Sequence, residues 1–257
     1  MRRRRHLGSI PETPLTLPAP AVVIWHDVEC GGYEADLPLW RALAREAGGP
    51  ILDVGAGTGR VALHLTRAGH AVIALDRDRH LLAALHERAV AEELDIPIAE
   101  CDMAGFDLGE QRFALIIVPM QTIQLLDAGG RAAFLAAARR HLAPGGRLAM
   151  AIADALEGYV EGAEMPLPDL GDRDGWRFVS QPVAVRTVEG GVQIERIRQA
   201  VSPDLVRSTE PDAIVLAHLT VEMLEAEGRA VGLEPEPSRE VPGTDEHVGA
   251  EVVVLRA

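Results

Sequence analysis

The chain predicts a doubly wound, mostly parallel α/β fold carrying a small antiparallel insertion. Three observations lead there. Between Ile51 and Asp154, near-continuous apolar runs alternate with helical stripes, as a parallel sheet covered on both faces requires. The first run opens into a loop that alternates glycine with small residues, "GAGTG" at positions 55–59. After Asp154 the texture turns to turn formers and strand-like segments, before a last helix and a final apolar run.

Composition bounds the functional classes. The 257 residues suffice to bury one substantial core, and we expect a mobile arm over residues 1–20 followed by a single domain over 21–257. Acidic residues outnumber basic ones by 39 to 25, a formal net charge of −14. That balance argues against nucleic-acid phosphate or an anionic membrane as the main partner, and favours a small neutral or cationic ligand. Cys30 and Cys101 form no cluster with histidines, so neither a disulfide framework nor a metal site is expected, and a reducing cytoplasm is the default. In "MRRRRHLGSIPETPLTLPAP", Pro and Glu break the apolar core that a signal peptide needs. No run approaches a membrane span.

The elements follow in order. "ILDV" from Ile51 is the first buried strand; Val61, Leu65 and Ala68 then fall on one helical face that stops at Gly69. "AVIAL" from Ala71 is the second strand, followed by a helix marked by Leu82, Leu85 and Ala89. Ile96 and Ile98 belong to a short third strand, and "ALIIV" from Ala114 is the fourth. A helix carrying Leu135, Ala138 and Leu142 is closed by Pro144–Gly146, and "RLAMAIA" from Arg147 is the fifth strand. Within the insertion, placed at 158–217, antiparallel strands surround a turn at Gly190–Gly191, with an alternation that slips near Arg196. Thr220 caps a last helix that ends near Gly232; "LEPEPSREV" reads as a loop, and "AEVVVL" from Ala250 as a strand.

The glycine loop lies where open α/β sheets bind ligands, at the carboxyl edge of the strands. A dinucleotide loop wants a third glycine at position 60, where this chain has Arg60. The pattern is instead Asp53-x-Gly55-x-Gly57-x-Gly59, with Ala56 inside it. A carboxylate two residues before the first glycine sits poorly beside a pyrophosphate and suits a ligand with an ammonium group.

"LDVGAGTGR" resembles the first motif of class I S-adenosylmethionine-dependent methyltransferases, and further segments follow in matching order. "ALDRD" ends the second strand with Asp76 and Arg77, where the resemblance implies a carboxylate on the ribose hydroxyls. "ECDM" is similar to the segment in which Asp102 accepts from the adenine amino group and the Met103 amide meets the ring. "FALIIVPMQTIQLL", containing Pro119, resembles the fourth-strand segment, and "LAPGGRLAMAI" the entry to the fifth. The ending resembles the family's last helix and the hairpin that inserts an antiparallel strand. The resemblance implies a seven-stranded Rossmann-like sheet, S-adenosyl-L-methionine as cofactor, and methyl transfer to a nitrogen or oxygen of a small molecule. Tyr33 stands about where related enzymes place an aromatic over the donor. An "NPPY"-type tetrad is missing after the fourth strand, which argues against nucleobase amines and protein glutamine as acceptors.

Candidates to touch the acceptor are Met120, Gln121, Gln124, Asp154 and His26, with Trp25 also weighed there. His26, His218 and His247 are candidate bases; His64, His70, His80, His86 and His141 fall on helices or helix ends and read as surface. Simpler roles stand beside these. Asp53 can brace the glycine turn, Asp102 can cap the next turn, Asp76 can be a solvated end-of-strand acid, and Cys101, Trp25 and Trp40 can be packing. The insertion either lids the site or pairs subunits in a homodimer. Two rival functions remain: a nicotinamide-dependent oxidoreductase, and a donor-binding module without catalysis.

Overall fold

The computed structural model describes residues 15–153, 166–244 and 248–257. Most of the expected arm, Asp154, His247 and the first residues of the expected insertion, 158–165, lie outside them.

Two helices precede the first strand. Helix α1 (Ala21–Cys30) buries Val23, Ile24 and Trp25. Helix α2 (Leu37–Ala47) has proline in its first turn, where no amide partner is lost, and ends at Gly48 with φ 62°. The sheet follows: β1 (Ile51–Val54), α3 (Arg60–Arg67), β2 (Val72–Asp76), α4 (Arg79–Ala91), β3 (Ile98–Glu100), β4 (Phe113–Val118), α5 (Ala128–His141) and β5 (Leu142–Ile152). It is completed by α6 (Val221–Ala230), β10 (Glu234–Val241) and β11 (Ala250–Arg256). The strand order is β10-β11-β5-β4-β1-β2-β3, with β11 antiparallel to β5 and the central strands parallel. β1 is buried along its whole length and β4 along nearly all of it, because apolar clusters cover both faces of the sheet. Caps start three helices: Asp78 accepts from the His80 amide, Asp127 from Gly130, and Thr220, the expected one, from Met223.

Three expectations are corrected. β5 begins at Leu142 and runs through Pro144–Gly146, with a break in its pairing to β4 between Phe113 and Leu115. The segment read as a loop at Glu234–Val241 is strand β10. Its prolines are tolerated because it is the edge strand, and its register shifts between Glu236 and Arg239. His141 is not at the surface: only 2% exposed, its ring stacks on Phe106 and its Nε2 accepts the Leu108 amide.

The second sheet holds β6 (Asp169–Arg173), β7 (Trp176–Val188), β8 (Gly191–Val201) and β9 (Arg207–Ala217), in that order and antiparallel throughout. The β7–β8 turn falls at Glu189–Gly190, and the slipped alternation near Arg196 is a bulge: the register skips between Pro182 and Ala184, opposite Arg196 and Glu195. Helix α1 ties this sheet to the rest. The Trp25 indole donates to Glu210 at 2.8 Å and meets Phe178 edge-on at 5.7 Å, while Glu29 accepts from Ser180 and Arg198.

Candidate functional site

The loop after β1 takes backbone angles that side chains disfavour: Gly55, Gly57 and Gly59 have φ of 70°, 55° and 95°. Close neighbours also demand glycine. A Cβ on Gly55 would stand 2.4 Å from Thr122 Cγ2, and one on Gly57 would stand 2.1 Å from His26 Nε2. Asp76, at the end of β2, braces the loop: its Oδ2 accepts the Gly57 amide and its Oδ1 the Asp78 amide, both at 2.9 Å. Asp53 lies in the middle of the sheet, in register with Ala74 and Ile117. It is 1% exposed, and neither carboxylate oxygen has a hydrogen-bond partner among the described residues. Burial pushes its carboxyl up to about 7 against the opposing pull of Arg60, with Asp76 adding to the rise.

A cavity of about 450 Å³ opens beside the loop at the carboxyl ends of β2 and β3. Gly55, Asp76, Arg77, Asp102 and Met103 line it, joined by Leu75 and Cys101; Thr122, Leu125, Leu126, Asp127 and Gly130 line it too. Asp102 does cap the following turn, accepting the Ala104 amide at 2.8 Å, and it lines the cavity as well. Two carboxylates at adjacent strand ends with apolar walls fit a nucleoside, since carboxylates accept hydroxyl and amino protons. They do not fit a pyrophosphate. Arg77, the one guanidinium among the described lining residues, is exposed, and Arg60 is bound in a fork to Asp36 at 2.5 and 2.8 Å, with a third bond to the Tyr33 carbonyl.

Other expected donor contacts stand elsewhere. Ala56 gives its amide to Leu75, and Pro119 accepts the Thr122 hydroxyl. Tyr33 is buried, with the Arg60 guanidinium 5.2 Å from its ring centre, and lines a second cavity. His26 covers Gly57, with its Nδ1 3.3 Å from the Thr58 hydroxyl, which donates to Asp27. Asp27 is paired with Arg88 at 2.5 Å. Burial lowers the His26 pKa, opposed by the carboxylates of Asp27 and Asp76.

The second cavity, about 280 Å³, lies between the two sheets. Tyr33, Met120 and Gln121 line it together with Glu29, Asp36, Asp169, Arg196 and an apolar wall. Met120 and Gln121 thus face this cavity while Thr122, the next residue, faces the first, making the segment after β4 a partition between them. Met120 has φ 54°, an unusual backbone for a residue with a side chain, and the kind of local strain that clusters at functional sites. Gln124 departs from its expected role. Its Oε1 accepts the Ala153 amide at 2.9 Å and its Nε2 donates to the carbonyls of Ala153 and Ala217 at 3.0 Å, so it clasps backbone. Glu29, Asp169 and Arg196 carried no local sequence signal, because strand pairing and the packing of α1 bring them here.

Residues 51–146 match the family model of the methyltransferase domain. Among solved structures, the sugar N-methyltransferase KedS8 from Streptoalloteichus sp ATCC 53650 is 21% identical and superposes with a TM-score of 0.73, covering 99% of this chain and 100% of that one. CalS10, an amino pentose methyltransferase from Micromonospora echinaspora solved with S-adenosylmethionine, is 22% identical, with a TM-score of 0.67 over 88% of this chain and 93% of that one. The 1,6-didemethyltoxoflavin-N1-methyltransferase of Burkholderia thailandensis is 18% identical, with a TM-score of 0.55 over 95% and 93%. No curated protein sequence matches the chain. These likenesses show the fold, and the family match covers its strand–loop–helix core. Residues 51–146 thus match a methyltransferase domain, within a fold that the whole chain shares with these methyltransferases.

Proposed function

We propose that the protein transfers a methyl group from S-adenosyl-L-methionine to a nitrogen of a small molecule. The observation that carries this reading is the pair of cavities divided by Met120–Thr122, one suited to a nucleoside and one to an organic acceptor. The three similar structures, a sugar N-methyltransferase, an amino pentose methyltransferase and a 1,6-didemethyltoxoflavin-N1-methyltransferase, support a small acceptor.

When bound, S-adenosyl-L-methionine supplies a methyl group on a cationic sulfur, which keeps the S–C electron pair as the methyl leaves. Asp76 and Asp102 would hold the nucleoside by its hydroxyls and its amino group. Gly55, which lines the first cavity, would keep backbone close to it, and the Met120–Thr122 segment would set the direction from which the acceptor approaches. Orientation of this kind supplies much of the rate in a displacement between two held groups.

Nitrogen is favoured over oxygen by the shortage of a base. Among the described residues lining the acceptor cavity there is no histidine, and Glu29, Asp36 and Asp169 are each in an ion pair with an arginine. An alcohol needs a base to attack, whereas an amine need only shed its proton to solvent first. Calorimetric titration with S-adenosylhomocysteine and with NAD tests the donor: binding of the first and not the second is expected, and the reverse defeats the reading. Tritiated-methyl donor offered to paired amines and alcohols tests the acceptor atom, with label expected in the amines.

A further inference from the structure

We propose that the acceptor is an apolar amine carrying no phosphate or carboxylate, and that the Asp169–Arg196 pair turns anions away. This rests on the methyl-transfer reading above and adds the chemistry of the substrate.

The acceptor cavity takes its apolar wall from both sheets: Val185, Ile194 and Ile214 come from the insertion, Val241 from β10 and Val248 from just before β11. Ile214 is 39% exposed and Val248 41%. Large apolar side chains left open to water along a concave wall gain stability when an apolar body covers them.

Charge decides the rest. Arg196 is the one guanidinium among the described lining residues, and its charge is already engaged. Its Nη1 lies 2.6 Å from Asp169 Oδ2 and 3.3 Å from the Ser180 hydroxyl. Glu29 and Asp36 also line the cavity, held from behind by Arg198 and Arg60. An entering phosphate or carboxylate would shed its water and meet carboxylates, with no free cation among the described lining residues, an unfavourable exchange. An ammonium group meets no such barrier on arrival, and once its proton has gone to solvent the nitrogen's lone pair forms the new N–C bond.

The test uses the full-length protein. Titration with S-adenosylhomocysteine comes first: no binding overturns the methyl-transfer reading and this inference with it. With donor binding established, tritiated-methyl transfer is measured to 2-phenylethylamine and cyclohexylmethylamine, and to phenylalanine and tyramine phosphate as anionic counterparts. The expected kcat/KM for the plain amines exceeds that for the anionic ones by at least ~10-fold. Asp169→Asn, which frees Arg196, is expected to narrow that ratio to ~3-fold or less with donor affinity unchanged. Label passing equally well to the anionic compounds, or to neither plain amine, overturns the inference while leaving donor binding intact. So does an unchanged ratio in a variant whose thermal midpoint shows it folded. If the variant does not fold, the wild-type ratio alone decides.

Discussion

Asp76 does two jobs with one carboxylate, bracing the glycine loop through the Gly57 amide and lining the proposed donor cavity. Asp76→Ala should therefore weaken S-adenosylhomocysteine binding by about 1–3 kcal/mol, measured by calorimetry, through lost charge-assisted hydrogen bonds and a loosened loop. Asp53 makes a different prediction. Its carboxyl titrates at about 7 in the folded chain against an ordinary value of 3.8, so the folded state binds the proton more tightly. The stability tied to that proton is complete below about pH 4 and is lost as pH rises through 7. Asp53→Asn should remove this pH dependence, gaining on the wild type between pH 5 and 8 by an amount on the order of a few kcal/mol. Thermal midpoints at the two pH values, without donor, would show it; parallel curves would mean that Asp53 is solvated or paired. Asp76 was legible in the sequence, because it stands at the end of an apolar run where parallel strands deliver side chains to a shared edge. That Asp53 is wholly buried was not, since burial depends on what packs above the strand.

Gln124 shows how an element can be held by one side chain. Its amide joins the turn at Thr122–Leu125 to the end of β5 and the end of β9, and thereby ties a wall of the donor cavity to the second sheet. Gln124→Leu keeps the volume but leaves buried backbone groups at Ala153 and Ala217 without a partner. A loss of about 1–3 kcal/mol in denaturant unfolding is expected, and a value near zero would show that the clasp is replaced by water. Pattern reading could find the turn but not the clasp, because its partners lie 29 and 93 residues away. The same limit applies to β10, where Pro235 and Pro237 read locally as loop; only an edge position, which depends on the order of all seven strands, makes a strand tolerable there.

Across the whole molecule, α1 is the bridge between the two sheets. It touches the glycine loop through His26 and the insertion through Trp25 and Glu29. Trp25→Ala should cost about 3–5 kcal/mol for the lost core volume. Hydrogen exchange should quicken in β6–β9 more than in β1–β5; uniform quickening would mean that α1 belongs energetically to the large sheet alone. The alternation of buried strands with helices, the glycine loop and the acids at strand ends were written in the chain itself, because hydrophobic period and glycine's backbone freedom are local properties. The proposed acceptor cavity was decided only by tertiary structure. Glu29 and Arg198 are 169 residues apart, and Asp169 meets Arg196 only because β6, β7 and β8 pair in one register, so no local pattern could bring them together.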